Sequence, residues 1–249
     1  LISPVLPALR GVFGVTDAQV GLLLTAYTLP GIFLTPLIGL VADRIGRRKT
    51  MIPLLFVFGL SGASIGFVTE FSHVVALRFA QGVGASALVT LAITLVGDVY
   101  EGAQRDAVMG FNSSTIGTGA AFYPLIGGFL AAIRWNAPFL FFGVGILVGI
   151  FAFFVLEEPS DQAALGTREY LARIGAVARL PSALAVFGAV FAAFFIFYGA
   201  VLTAVPLLLS DEFGLTPSQI GPVVSTVALA SAGVSSQFGR LSAWRRAPE

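Results

Sequence analysis

The stretch "GLVADRIGRRKT", residues 39–50, decides how the chain is read. Asp43, Arg44, Arg47, Arg48 and Lys49 put five charges into seven residues, with Gly39 and Gly46 spaced among them. The surrounding 249-residue chain is 57% apolar and 11% charged, with a mean hydropathy of +0.93. A soluble globular domain is about 45–50% apolar and about 25% charged. The ions therefore stand between segments that avoid water.

Those segments are long. A bilayer-crossing helix needs about 20 mostly apolar residues. Seven stretches meet that need, at about 19–41, 51–69, 73–96, 107–131, 137–156, 182–208 and 218–239, and residues 1–9 resemble the tail of an earlier span. None alternates polar and apolar residues at period two, so they are helices rather than barrel strands. The 29 glycines and 13 prolines suit membrane helices, where small residues allow close packing and neighbours tolerate proline. The absence of cysteine removes disulfides and thiolate metal sites. The expected fold is an all-α integral membrane bundle. Its expected surroundings are the lipid bilayer.

Lysine and arginine mark the cytoplasmic side of a membrane protein. With the seven stretches numbered as spans 2 to 8, the even-numbered spans lead into Arg44, Arg47, Arg48, Lys49, Arg105, Arg168, Arg173, Arg179, Arg240, Arg245 and Arg246. The other side holds only Arg10 and Arg134, eleven against two. Residues 39–50 and a polar stretch at 157–181 are therefore expected in the cytoplasm, with the protein crossing the cell's inner (plasma) membrane several times. A topology signal explains the arginines but not Asp43 or the glycines.

The chain also repeats. "FGVTDAQVG" at 13–21 returns as "FGLTPSQIG" at 213–221, an offset of 200. Thr16 with Gln19, and Thr216 with Gln219, are each spaced for a capping box at a helix start. The register persists from Gly39 to Gly239. A duplication with this period implies a parent of roughly 400 residues in two similar halves. The expected organisation is a first half at 1–156 with span 1 truncated, a cytoplasmic linker at 157–181, and the first two spans of a second half at 182–249.

At this point "GLVADRIGRRK" resembles the loop 2–3 signature of the major facilitator superfamily, matching it at Gly39, Asp43, Arg44, Gly46, Arg47, Arg48 and Lys49. "RFAQGVG" at 78–84 resembles the span-4 motif Arg-x-x-Gln-Gly-x-Gly. In span 5, Gly110, Gly119, Pro124, Gly127 and Gly128 match the antiporter-associated spacing, with Tyr123 where that motif has glycine. The likeness covers the whole chain and is nearest to twelve-span drug:proton antiporters. It implies a bundle of the major-facilitator type, truncated to the end of span 1 through span 8. It further implies a secondary active transporter exporting small amphipathic or drug-like molecules by alternating access. The alternative is a proton-coupled uptake symporter for a sugar or metabolite. The partners it implies are a small-molecule substrate and the lipid bilayer, with no nucleic acid, and a monomer is expected; no cofactor is expected beyond the proton gradient as energy source.

The same likeness assigns roles. Gly39, Asp43, Arg44, Gly46, Arg47, Arg48 and Asp98 form a latch on the cytoplasmic side, with Arg47 paired to Asp98 and Asp43 capping span 11 of the second half. An anion at a helix N-terminus is stabilised by about 0.3–1 kcal/mol. Arg78 and Gln81 belong to proton coupling. An intramembrane Arg costs at least about 2.5–3.5 kcal/mol on insertion scales, although Arg78, some five residues into its span, could also snorkel to the interface. The substrate cavity is expected at Asn112, Thr115, Tyr123, Phe194 and Tyr198, where polar groups and aromatic rings suit amphipathic ligands. An enzyme is disfavoured by a single histidine and the lack of paired carboxylates within a span. A channel is disfavoured by the lack of a pore ring or re-entrant filter.

Overall fold

The computed structural model describes residues 1–158 and 180–244, with side chains described as far as Ser231. Eleven α-helices are named here: α1 (Leu6–Phe13), α2 (Asp17–Ile45), α3 (Arg47–Ser64), α4 (Phe71–Ala85), α5 (Leu88–Val99), α6 (Gly102–Ile133), α7 (Ala137–Phe141), α8 (Val144–Val155), α9 (Pro181–Ile196), α10 (Val205–Phe213) and α11 (Pro217–Trp244). No strand occurs among the described residues.

Among the described residues, six units are long and apolar enough to cross a membrane: α2, Arg47–Phe67, Phe71–Val99, α6, Ala137–Val155 and Pro181–Phe213. They correspond to spans 2 to 7 of the sequence, and α11 forms over the expected eighth. The boundaries run longer than the apolar stretches because caps and connections add polar turns. Pro181–Phe213 is made of α9, a π-helical segment at Phe197–Ala204, and α10. Most of the 157–181 linker lies outside the described residues.

The repeated motif explains how two helix pairs begin alike. α1 ends at Gly14 (φ +62°) and α10 at Gly214 (φ +63°), both in the left-handed conformation that glycine adopts without steric cost. At Thr16 the capping box is complete. The Gln19 N–H donates to the Thr16 hydroxyl at 3.3 Å, and the Thr16 N–H donates to Gln19 Oε1 at 2.8 Å. The second copy keeps half of it. The Thr216 N–H donates to Gln219 Oε1 at 3.0 Å, but the Gln219 N–H turns to the Thr216 carbonyl at 2.9 Å. The physical reason is Ser218, whose hydroxyl lies 3.0 Å from that of Thr216 and competes for it.

Helices alternate in direction, so the connections collect at two ends. One end carries residues 39–50, Asp98, Arg105 and Glu158, and is called the basic end. The main buried core lies toward the other end. It joins Leu6, Leu9, Leu23, Val74 and Phe139 of the first half to Leu207 of α10. The most extensive helix pairing is α6 with α11. By contrast, no residue of α9 is buried. Among the described side chains, the contacts of α10 and α11 with the preceding helices lie away from the basic end. Many large apolar side chains face outward, including Phe33, Phe111, Phe154 and Phe195, as a lipid solvent permits.

Candidate functional site

At the basic end, α2 stops at Gly46, whose φ of +109° and ψ of 147° fall in a region that is almost exclusive to glycine. The chain turns there and α3 begins at Arg47. This turn brings Arg47 beside Asp43, 3.0 Å away one helical turn earlier, and beside the Asp98 carboxylate at the end of α5. The Arg47–Asp98 pair expected from the sequence is thus present in the geometry. Arg44 is exposed and Gly39 half-buried. Arg48 donates to the Phe153 carbonyl at 2.6 Å and lies over that residue's ring.

One participant was missed. Glu158, just after α8, accepts the backbone N–H groups of Arg48 (3.2 Å) and Lys49 (3.3 Å). It thereby caps the start of α3, which has no capping side chain of its own. Glu158 stood in the sequence as one of two acids opening a polar linker, and nothing local distinguished it from Glu157. Only the return of α8 alongside α3 reveals the contact.

The second site lies inside the bundle. Arg78 of α4 is 3% exposed, so its head does not snorkel to an interface. Its Nε donates to the Leu23 carbonyl at 3.2 Å and its Nη1 to Gln81 Oε1 at 2.6 Å. The guanidinium lies 4.4 Å from the Tyr27 ring centroid and 6.0 Å from that of Phe142, within cation–π range. The Gln81 amide nitrogen is buried without a partner. Arg78 borders a cavity of about 520 Å³, shared by first-half residues such as Tyr27, Phe58 and Tyr123 with Tyr198 and Leu202 of the second half. Its size falls within the ordinary range of small-molecule sites. Tyr198 occupies the π-helical segment, and such segments recur at functional sites.

The sequence-derived cavity list divides here. Tyr123 and Tyr198 line the cavity. Phe194 does not line it, but its ring stacks on Tyr198 with centroids 6.0 Å apart. Thr115 instead borders a separate recess formed along α6 alone, and Asn112 borders neither. Ser113, Ser114 and Thr115 donate back to the carbonyls of Met109, Gly110 and Phe111, each at 3.0 Å. Such local bonds satisfy a hydroxyl without any neighbour. Tyr27 was missed because a lone tyrosine in an apolar span carries no spacing signal.

The span-5 motif divides too. Gly128 abuts the Pro217 carbonyl and the Gly221 backbone, and a methyl placed on Gly221 would stand 2.6 Å from the Pro124 oxygen. Here α6 and α11 touch backbone to backbone. Gly127 packs against the start of the chain. Gly110 faces open space, and Gly119 lies only against its own helix's Tyr123 ring. At the same end, Arg10 donates to Asp17 at 2.7 Å and to Asp211 at 2.8 Å, tying α1 to α10 across the halves. Among the described residues, no group of three or more His, Cys, Asp or Glu could hold a metal.

Comparison with known proteins agrees with this architecture. The family profile for the Major Facilitator Superfamily matches residues 1–248. The bacillibactin exporter of Bacillus subtilis is 31% identical over 146 residues, 56% of this chain and 36% of that protein. The quinolone resistance protein NorA of Staphylococcus aureus is 29% identical over 167 residues, 67% of this chain and 43% of that protein. The chain thus aligns with less than half the length of these relatives. A crystal structure of a bacterial homologue of the human lysosomal transporter Spinster superposes with a TM-score of 0.78 at 21% identity, over 98% of this chain and 59% of that one. An all-helical bundle of membrane-length spans, the matched loop signature and a family match along nearly the entire chain lead to one conclusion: the chain belongs to the Major Facilitator Superfamily.

Proposed function

We propose that the protein is a proton-coupled exporter of small amphipathic molecules, working by alternating access across the plasma membrane with residues 39–50 and 157–181 in the cytoplasm. The observation that carries this reading is the cavity at the junction of the two halves, which meet away from the basic end. A midplane pocket between halves that separate at one end is the arrangement alternating access requires. With the basic end in the cytoplasm, this state opens inward, as an exporter needs to load.

The relatives, one a bacillibactin exporter and one a quinolone resistance protein, support export over uptake. Arg47 with Asp43 and Asp98 supplies a charged cluster that other helices engage when the basic end closes. A guanidinium keeps its proton at neutral pH, so Arg78 serves coupling as a fixed positive charge while a carboxylate elsewhere in the full-length protein carries the proton.

Everted vesicles containing the full-length protein test the reading. An imposed proton gradient is expected to drive accumulation of a fluorescent amphiphile, either ethidium or 8-anilino-1-naphthalenesulfonate, and collapse of the gradient should release it. Gradient-independent behaviour of both dyes, together with unchanged quinolone susceptibility of expressing cells, would sink it.

A further inference from the structure

We propose that the cavity selects amphipathic organic oxyanions, molecules with an aromatic or alkyl body and a carboxylate or sulfonate head, and that Arg78 is the group that recognises the head. The proposal rests on the transport reading for its biological sense, but the binding site stands on its own geometry.

The charge balance of the cavity carries the argument. Among the described residues that line the cavity, Arg78 carries the only ionic side chain. Each partner it has is neutral: a backbone carbonyl, a side-chain amide and two aromatic faces. The described acids of the chain all sit at helix ends or in connections, as Asp17, Asp43, Asp98, Asp211 and Glu158 illustrate. A buried guanidinium without a counter-charge is costly. Two of its nitrogens are committed, at Nε and Nη1, while Nη2 has no partner among the described residues and is not sealed off. An oxyanion arriving at Nη2 would supply both the missing charge and a charge-assisted hydrogen bond.

The rest of the wall fixes the other end of the ligand. Leu24, Leu55, Phe58, Phe141 and Leu202 offer apolar surface, and Tyr27 and Tyr198 add rings on either side. Gln81 holds Nη1, so the guanidinium plane is set before a ligand enters. An amphipathic cation would meet the same apolar wall but would be repelled by Arg78, and desolvation in the pocket makes that repulsion stronger than in water.

The test compares two probes of matched shape and opposite charge, 1-naphthylacetate and 1-naphthylmethylamine. Binding to the detergent-solubilised full-length protein is measured by calorimetry. The carboxylate is expected to bind roughly tenfold or more tightly than the amine. Arg78→Gln should abolish that preference, and Arg78→Lys should retain part of it, with a monodisperse elution profile showing that each variant is folded. Preference for the amine, failure to bind the carboxylate, or an unchanged preference in Arg78→Gln overturns the proposal. A carboxylate outside the described residues that neutralises Arg78 would give the first of these results. Transport separates the two readings. Arg78-dependent binding of naphthylacetate without gradient-driven movement of either probe keeps the anion site and removes export. Gradient-driven export of the amine alone does the reverse.

Discussion

At Gly46 and Glu158, single atoms decide whether the basic turn can exist. Gly46 holds a backbone conformation that costs other residues about 1–3 kcal/mol. Its missing side chain also makes room for a carboxylate, since a methyl there would lie 2.5 Å from the Glu158 carboxyl carbon. Glu158 uses that room to accept two N–H groups at the positive end of α3. Glu158→Ala is expected to destabilise the protein by about 0.5–2 kcal/mol, as loss of a helix cap does, and Glu158→Gln by less, because an amide oxygen still accepts. Gly46→Ala should cost more than either, since it adds strain and evicts the carboxylate together. Thermal unfolding in detergent ranks the three variants. Glu158→Ala and the parent unfolding at the same temperature would show that water caps α3 equally well.

Among the elements, α6 and α11 meet where neither has a side chain, at Gly128 and Gly221. Close backbone approach of this kind is the usual means of packing membrane helices. Gly128→Leu is therefore expected to pry the two helices apart at the end away from the basic loop, shifting the protein toward a state open there. The 249 residues contain no cysteine, so a probe at Tyr198→Cys has no competing thiol within them. In intact cells its reaction with a membrane-impermeant thiol reagent should rise several-fold when Gly128→Leu is added. Unaltered labelling would mean that this seam does not control access. The seam was only half legible. Glycine spacing named Gly128 and Pro124 but could not tell which face of α6 meets a partner, and so gave Gly110 and Gly119 the same weight. Thr115 borders a different recess from the one expected for a related reason, because residue type cannot distinguish a hydroxyl bonded to its own helix from one aimed into a cavity. Arg47 and Asp98 were legible because motif spacing and helix length place both at the same membrane face.

For the whole molecule, the helical fold was readable because lipid leaves few choices: long apolar runs must be helices. What joins the two halves was not readable, because it depends on residues about 200 positions apart. Arg10 is the example. In the sequence it was one of two basic residues on the sparsely charged side, yet in the structure it bridges Asp17 of its own half and Asp211 of the other. The pair ties α1 to α10 at the end opposite the basic loop, so a movement that parts those helices there has to break it. Its side chains are 30% and 39% exposed, and exposed pairs contribute little and are screened by salt. It is therefore expected to bias the opening of this end rather than to lock it. Asp211→Asn is expected to raise outside labelling of Tyr198→Cys modestly, by less than Gly128→Leu does, and the difference should shrink as salt increases. Arg10→Asp alone should raise labelling further, because it sets three acids against one another, whereas Arg10→Asp with Asp211→Arg should recover much of the parent's protection. If the double exchange labels like Arg10→Asp alone, the interaction across the halves does not govern the opening of this end, and the packing of α6 on α11 bears that role by itself.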